Sequence, residues 1–292
     1  MSERQRGVLM AVAAYCSWGF LPLYWPLLLP ARATEILAHR IAWSLAFLVL
    51  LLARSGGFAR IRAVGARRLR LLAAASCFIG ANWGLYIWAV NHHHVVETAL
   101  GYFISPLVTF MLGVVVLRER LRRAQWVALG LAALAVVILT VDYGRAPWIA
   151  LALATSFGVY GLLKKRAGVG AVESLAIETS LLALPALAYL VLLEARGQAT
   201  FGHGSWTTSA LLVSTGVVTA TPLLAFAGAA NRMPLSALGP LQYISPTLQF
   251  VCGVFVFHEA MPVSRWVGFL LVWLALALFL VEGMARARST AR

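Results

Sequence analysis

The sequence predicts an all-α, polytopic membrane protein with ten transmembrane helices arranged as two inverted five-helix repeats. The first observation is composition: of 292 residues, 61% are hydrophobic and 12% are charged, and the mean hydropathy is +0.85. A soluble domain has about 25% charged residues, because its surface has to be hydrated. The deficit extends along the whole chain, so lipid is predicted to surround most of this protein.

The second observation is a series of apolar segments. A helix that crosses a bilayer needs about 20 mostly apolar residues. Ten such segments follow one another, at 7–29, 34–53, 71–91, 95–117, 124–142, 147–163, 172–193, 207–230, 235–257 and 263–283. The connections are short, which leaves no room for a separate soluble domain. The sixth segment is short, and Lys164 and Lys165 at its end are expected to extend toward the membrane surface.

The distribution of basic residues predicts the orientation, because lysine and arginine favour the cytoplasmic side. With the N-terminus inside, 19 of the 24 basic residues fall in inside segments and four in outside segments, and Arg40 lies within a span. Both termini are therefore predicted to be cytoplasmic. The same distribution accounts for the net charge of +14 without a nucleic-acid partner.

The third observation is an internal repeat. Aligning 101–141 with 241–281 without gaps gives 14 identities in 41 positions, including Ile-Ser-Pro at 104–106 and 244–246. Glu119 aligns with Glu259, and Trp126 aligns with Trp266. The repeat predicts two units of five spans each, 1–142 and 143–292.

Two units with an odd number of spans enter the membrane in opposite orientations. Inverted repeats around a site near the midplane are a common architecture of secondary transporters, in which their pseudo-symmetry supports alternating access. The repeat therefore favours a transporter.

The motifs within the repeats resemble a known family. Each unit ends with a Ser-Pro helix, a glutamate at its exit and a Trp-led last helix, as in the EamA repeats of the drug/metabolite transporter superfamily. Four stretches resemble the RarD subgroup of the EamA family: YCSWGFLPLYW (15–25), EILAHRIAWSL (35–45), NWGLYIWAVN (82–91) and ETALGYFISPL (97–107). The resemblance implies a ten-helix carrier of the bacterial inner membrane that exports small metabolites or drugs, with its substrate unassigned.

Two charged residues, Arg40 and Glu178, lie about six residues inside predicted spans, and a charge at mid-bilayer costs about 2.5–3.5 kcal/mol on insertion scales. They lie at similar depths in the second and seventh segments, and they fall opposite each other in the repeat alignment when a small gap is allowed. One hypothesis is that they neutralise one another or hold an ionic substrate between them. The alternative is a structural ion pair or an arginine that extends to the membrane surface.

Glu97 follows three consecutive histidines at the start of the fourth segment. It is predicted either to cap its helix, where a negative charge is favourable, or to carry a coupling proton. Consecutive helical residues point about 100° apart, so the three histidines are not expected to share a metal. Glu119 and Glu259 are predicted to be interfacial anchors.

Aromatic and amide side chains near the centres of spans suggest a cavity for an amphipathic metabolite. The resemblance implies that spans one, three and four and their repeat partners line it. The predicted substrate-binding residues are Trp18, Arg40, Asn82, Trp83, Tyr86, Glu97, Tyr102, Glu178, Gln242 and Tyr243. Membrane-interface positions or packing are the alternative for any one of these aromatic residues.

The repeated Ser-Pro pairs are predicted to form hinges. Pro106 and Pro246 lack an N–H and leave a carbonyl unpaired, which a membrane tolerates only beside protein or a wet cavity. The adjacent Ser105 and Ser245 are expected to help satisfy those carbonyls. A static kink is the alternative for either proline alone.

No nucleotide-binding or catalytic motif occurs in the sequence, so neither ATP-driven transport nor catalysis is predicted. A membrane-embedded enzyme acting on lipid or isoprenoid substrates is the alternative, and it would need clustered acidic or histidine residues near one interface. The expected partners are a small-molecule substrate, the lipid bilayer and a coupling proton. No cofactor and no metal are expected, and the sequence does not define an oligomeric state.

Overall fold

The computed structural model describes residues 2–55, 61, 63–117, 123–230, 232–233, 238 and 240–290. All regular secondary structure in these residues is helical. The elements are α1 (Glu3–Gly19), α2 (Leu21–Tyr24), a 3₁₀ turn (Trp25–Leu28), α3 (Ala33–Ser55), α4 (Ala66–Asn91), α5 (Val95–Leu117), α6 (Arg123–Tyr143), α7 (Trp148–Ala167), α8 (Ala171–Ala195), α9 (Trp206–Ala230), α10 (Ile244–Val251), a π-helical turn (Cys252–Val256) and α11 (Val263–Thr290). Glu119, which the repeat alignment uses, lies outside the described residues.

The all-α prediction is confirmed for these residues. Five helices are long and apolar enough to cross a membrane, at Ala33–Ala53, Ala66–Asn91, Trp126–Tyr143, Val172–Ala195 and Trp206–Phe226. A sixth is added if the bent pair Gln5–Gly19 and Leu21–Leu28 is one span. Shorter apolar helices are found at Val95–Thr109, Ile244–Val256 and Val263–Leu278. The full count of ten spans stays a prediction.

The first predicted segment is bent, which the sequence reading of a single helix missed. Pro22 lies in the first turn of α2 and Pro26 in the 3₁₀ turn, and the two parts of the segment meet at 44°. A proline cannot donate an intrahelical hydrogen bond, but it is well tolerated in a first turn. The bend turns Trp25 into the protein interior, where it is fully buried.

Most helix packing joins the chain before residue 142 to the chain after it. The main pairs are α5 with α7, α4 with α7, α6 with α11, α3 with α9, α3 with α8, α1 with α9, α1 with α10, α5 with α10 and α4 with α8. This set is unchanged when each helix is exchanged for its repeat partner, in the order α1/α7, α3/α8, α4/α9, α5/α10 and α6/α11.

Small residues allow the closest helix contacts, as is common in membrane bundles. Gly216 of α9 packs against the backbone of α3, and a Cβ at this position would be 2.6 Å from the Trp43 carbonyl carbon and oxygen. Gly101 of α5 approaches α7 in the same way, with a Cβ position 2.9 Å from the Ala150 carbonyl oxygen. These contacts leave no space for a methyl group.

We expect Gly216→Ala to destabilise the protein by about 1–3 kcal/mol, because the backbones of α3 and α9 would have to separate. Gly161→Ala is the matched control, since a Cβ there meets nothing within 4 Å and alanine is the better helix former. Thermal unfolding in detergent should show a lower midpoint for Gly216→Ala only. Equal midpoints for the two variants would contradict the close packing of α3 on α9.

Candidate functional site

Arg40 of α3 lies in a buried aromatic cluster that we call the arginine cage, formed by Trp25, Arg40, Trp83, Tyr86 and Tyr102. The Arg40 Cζ atom lies 4.1 Å from the centre of the Trp83 ring and 5.4 Å from that of Trp25. The guanidinium thus makes cation–π contacts, which are strongest when the partners are desolvated. The side chain of Arg40 is 4% exposed.

No carboxylate lies within ion-pair distance of Arg40 in the described part of the chain. Its titratable neighbours are the hydroxyl groups of Tyr86 and Tyr102, whose rings meet edge to face at 5.6 Å. The described residues therefore leave the positive charge of Arg40 without a neutralising carboxylate.

Asn82 connects three helices beside the cage. Its Nδ2 donates to the Leu153 carbonyl oxygen at 3.0 Å and to Ser156 Oγ at 2.9 Å, both on α7. The Tyr102 hydroxyl of α5 donates to Asn82 Oδ1 at 3.1 Å. The network holds Tyr102 in place and joins α4, α5 and α7.

Glu178 is buried away from Arg40, so the direct pairing considered for these two residues is not formed. Lys164 Nζ lies 3.4 Å from Glu178 Oε1, and the Tyr160 hydroxyl donates to Oε2 at 3.1 Å. The expectation that Lys164 extends to the membrane surface is also wrong, because its flexible side chain turns back toward this carboxylate.

Glu97 caps a helix, but not its own. The Ile149 N–H at the start of α7 donates to Glu97 Oε1 at 3.1 Å, and Arg145 Nη2 donates to Oε2 at 2.9 Å. Glu97 is 2% exposed. Its carboxylate thereby connects α5 to the loop before α7 and to the N-terminus of α7.

Glu259 is not an interfacial anchor as predicted, because it turns inward and caps α5. Its carboxylate accepts hydrogen bonds from the Val95 N–H and, at 2.9 Å, from the Val96 N–H. Burial raises the pKa of Glu259 to about 7, although the two amides and Arg265 oppose this shift. The contact joins the loop before α11 to the first turn of α5.

Glu97 and Glu259 line a cavity of about 380 Å³ at the end of the bundle, which we call the loop cavity. Its lining residues are His93, His94, Glu97, Tyr143, Arg145, Phe257, His258, Glu259, Ala260 and Arg265. His93 and His258 have φ values of 58° and 51°, in a backbone region that residues other than glycine rarely adopt. Among the described residues, no group of three or more His, Cys, Asp or Glu is arranged to hold a metal ion.

The other predicted aromatic and amide residues lie in separate contacts. Trp18 packs on Tyr15 and Phe226, with ring centres 5.6 Å and 5.9 Å away. Tyr243 stacks on Phe103 at 6.5 Å and hydrogen-bonds to Gln242. The structure thus gathers Arg40, Asn82, Trp83, Tyr86 and Tyr102, and it leaves Trp18, Glu97, Glu178, Gln242 and Tyr243 elsewhere.

The two Ser-Pro pairs differ in local structure. Pro106 lies inside the continuous helix α5, whereas Pro246 lies in the first turn of α10, where a missing N–H is harmless. Ser245 Oγ accepts a hydrogen bond from Gln249 Nε2 at 3.3 Å. Ser105 is buried. The matching hinges therefore stay a prediction, and the irregular backbone after Pro246 is the π-helical turn, which the sequence did not indicate.

Sequence reasoning also missed Trp25, Arg145 and Ser156. Trp25 enters the cage because of the bend at Pro22 and Pro26. Ser156 had a weak signal, since Ser156-Phe157-Gly158 resembles Ser17-Trp18-Gly19 of the first predicted repeat. Arg145 had none, because a loop arginine does not indicate its partner.

Apolar helices packed around buried polar and charged side chains are typical of membrane transporters. Residues 5–141 match the EamA-like transporter family. "Protein RarD" of Streptomyces exfoliatus is 54% identical over 289 residues, with 98% of this chain and 92% of that protein covered. "Protein RarD" of Escherichia coli (strain K12) is 40% identical, with 99% of each chain covered.

"Uncharacterized transporter YojE" of Bacillus subtilis (strain 168) is 43% identical, with 95% of this chain and 94% of that protein covered. A solved structure described as "Crystal structure of protein" superimposes with a TM-score of 0.58 at 18% identity, with 96% of this chain and 99% of the other covered. The latter likeness concerns the fold alone. The chain belongs to the EamA-like transporter family of the drug/metabolite transporter superfamily, in its RarD-type group.

Proposed function

We propose that this protein is a secondary-active exporter of small metabolites or drugs in the bacterial inner membrane, working by alternating access. Its ten spans form two inverted repeats of five helices, with both termini in the cytoplasm. The observation that carries the proposal is the helix packing, which is unchanged when the helices of the two repeats are exchanged. Such pseudo-symmetry allows the same bundle to open on either side of the membrane.

Contacts between the repeats support a conformation closed at the outer end. Three of these contacts are made by carboxylates that we call the outer latches: Glu35, Asp142 and Glu259. Glu35 accepts from the Thr200 N–H at 2.7 Å and from Thr200 Oγ1 at 2.9 Å. Asp142 accepts from Arg265 Nε at 3.0 Å and from the Ser264 hydroxyl. With Glu259 on the first turn of α5, each latch joins the first repeat to the second.

If the protein were a membrane-embedded enzyme, the loop cavity would be the candidate catalytic site, because it gathers histidine and glutamate side chains near one interface. Both of its carboxylates are engaged in helix capping, and Glu97 also binds Arg145. These contacts favour a structural role for the two glutamates, and they favour transport over catalysis.

The test is reconstitution into liposomes, with counterflow of a panel of metabolites and drugs in the presence and absence of a pH gradient. We expect at least one compound to exchange faster than in protein-free vesicles. The Glu194→Gln variant is a control that should transport like the wild type, because Glu194 is 57% exposed and its ion-pair partner in the described residues is His203. Folded protein that moves no panel compound under either condition would contradict the proposal.

A further inference from the structure

We propose that the arginine cage binds the carboxylate of an amphipathic organic monoanion, whose apolar body contacts the aromatic rings of the cage. This inference rests on the proposed transport function, and it names the substrate class of the same site. Three buried polar atoms of the cage have no hydrogen-bond partner among the residues that the structure describes: Trp25 Nε1, Arg40 Nε and Tyr86 Oη. The residues that carry them are 0%, 4% and 3% exposed, respectively.

The chemistry of these three groups specifies the partner that they need. An indole N–H and a guanidinium N–H only donate, and a tyrosine hydroxyl is a ready donor. Buried donors without acceptors are costly, so the cage requires a group rich in acceptor atoms. Because Arg40 is also a cation without a carboxylate partner, that group is expected to be negatively charged.

The number of charges distinguishes a carboxylate from a phosphate dianion. Arg40 is the one charged residue among the five that form the cage, so the cage supplies one positive charge and matches one negative charge. A planar guanidinium binds a carboxylate through two parallel hydrogen bonds. The cage contains no carboxylate for an ammonium group, which favours simple monocarboxylates over zwitterionic amino acids.

The rings of the cage specify the rest of the ligand. Trp25 and Trp83 contact the guanidinium, and Tyr86 and Tyr102 form an edge-to-face pair beside it. Tyr102 already donates to Asn82, so Tyr86 is the tyrosine whose hydroxyl is available. If the carboxylate is attached to an aromatic or aliphatic group, that group would pack against the rings of the cage, and these apolar contacts would replace the contacts that the rings make with one another.

The test is a binding series on the full-length protein in detergent, with benzoate and phenylacetate as anionic probes. Benzamide is the neutral comparator of benzoate, and phenylalanine is a zwitterionic comparator that carries the same benzyl group as phenylacetate. A ligand that binds the folded state raises the unfolding midpoint in proportion to its affinity. We expect midpoint shifts with the two carboxylates, and at least tenfold weaker apparent affinity for benzamide and phenylalanine.

Substitutions of Arg40 test the site independently of the probes. Arg40→Met removes an unpaired buried charge, so we expect the ligand-free variant to unfold at the same or a higher temperature than the wild type. Its apparent affinity for benzoate should fall about 10- to 100-fold, and Arg40→Lys should recover only part of it because the planar fork is lost. A purely structural arginine would give the opposite pattern, with a lower midpoint and unchanged affinity.

Equal shifts with benzoate and benzamide, or no shift with either carboxylate, would overturn the inference. Counterflow in liposomes separates this failure from failure of the proposed function. Movement of neutral compounds without carboxylate binding would leave transport standing and exclude the anion site. Arg40-dependent binding of benzoate without movement of any compound would keep the anion site and exclude transport.

Discussion

Replacing Arg145 by methionine is expected to destabilise the protein more than replacing its partner Glu97 by glutamine. The two side chains differ in exposure, since Glu97 is 2% exposed and Arg145 is 38% exposed. Arg145→Met leaves a buried carboxylate whose remaining hydrogen bond, among the described residues, comes from the Ile149 N–H, and a buried charge without its ionic partner is costly. Glu97→Gln leaves an arginine that reaches water, and the amide oxygen still accepts from the Ile149 N–H.

We expect a loss of about 2–3 kcal/mol for Arg145→Met and about 1 kcal/mol for Glu97→Gln, from the usual range for hydrogen bonds to charged groups. Thermal unfolding in detergent and resistance to SDS measure the order. Glu194→Gln, which removes one side of an exposed pair with His203, should change neither. The reverse order of the two variants would show that the carboxylate is not held as the structure describes.

Replacing Glu259 by alanine is expected to open the outer end and to expose Cys252. Cys252 is 2% exposed and lies in the same buried cluster as Val95 and Tyr86, directly behind this latch. Alanine removes both hydrogen bonds to the first turn of α5. If the substitution reduces the free-energy advantage of the closed state by about 1.4 kcal/mol, the ratio of open to closed protein rises tenfold.

Reaction of Cys252 with a membrane-impermeant maleimide from the outside measures this opening. Cys16 and Cys77 are first replaced by alanine, so that Cys252 is the reporter. We expect labelling to be at least tenfold faster in Glu259→Ala, and unchanged in the Glu194→Gln control. Unchanged labelling of a folded Glu259→Ala variant would contradict a latch at this position.

The latch should also respond to external pH. Burial raises the pKa of Glu259 from its ordinary value of 4.5 to about 7 in the closed conformation, while an opened, hydrated carboxylate would keep the ordinary value. Between these values the closed state binds a proton that the open state lacks, so lowering the pH favours closure and raising it through 7 favours opening. The titratable and charged groups that face Glu259 are Glu97, Arg145, Arg265, Tyr143, His93, His94 and His258.

The ratio of the wild-type labelling rate to that of Glu259→Gln isolates this effect, because it cancels the pH dependence of the thiol and of the neighbouring groups. Glutamine resembles the protonated carboxyl and still accepts one amide hydrogen bond. We expect the ratio to rise as the pH increases from about 5.5 to about 8. A constant ratio would show that Glu259 does not couple closure to the proton.

Five members of the predicted site, Arg40, Asn82, Trp83, Tyr86 and Tyr102, meet in or beside the arginine cage. They were identified because charge, amide and aromatic groups are conspicuous at depth in apolar segments. The partners of the buried charges were not predictable in the same way. Sequence depth placed Arg40 and Glu178 at one level, but helix rotation and a flexible lysine decided that Glu178 binds Lys164.

The capping roles of Glu97 and Glu259 were missed for a related reason. Each caps a helix that is distant in the sequence, and the sequence signature of a cap is local. The sequence contains Pro22 and Pro26, which can bend a helix. The burial of Trp25 also depends on the direction of that bend, which the sequence does not indicate.

Composition and apolar segment length by themselves indicated an all-helical membrane fold, because burial in lipid constrains every residue of a span, and the sequence motifs added the resemblance to the EamA family. The tertiary structure alone decided which buried charge meets which partner. Those contacts join segments far apart in the sequence, and they depend on how each helix is rotated about its axis. That rotation leaves Arg40 among aromatic rings, with no carboxylate within ion-pair distance in the described part of the chain, and it places Glu259 on the first turn of α5.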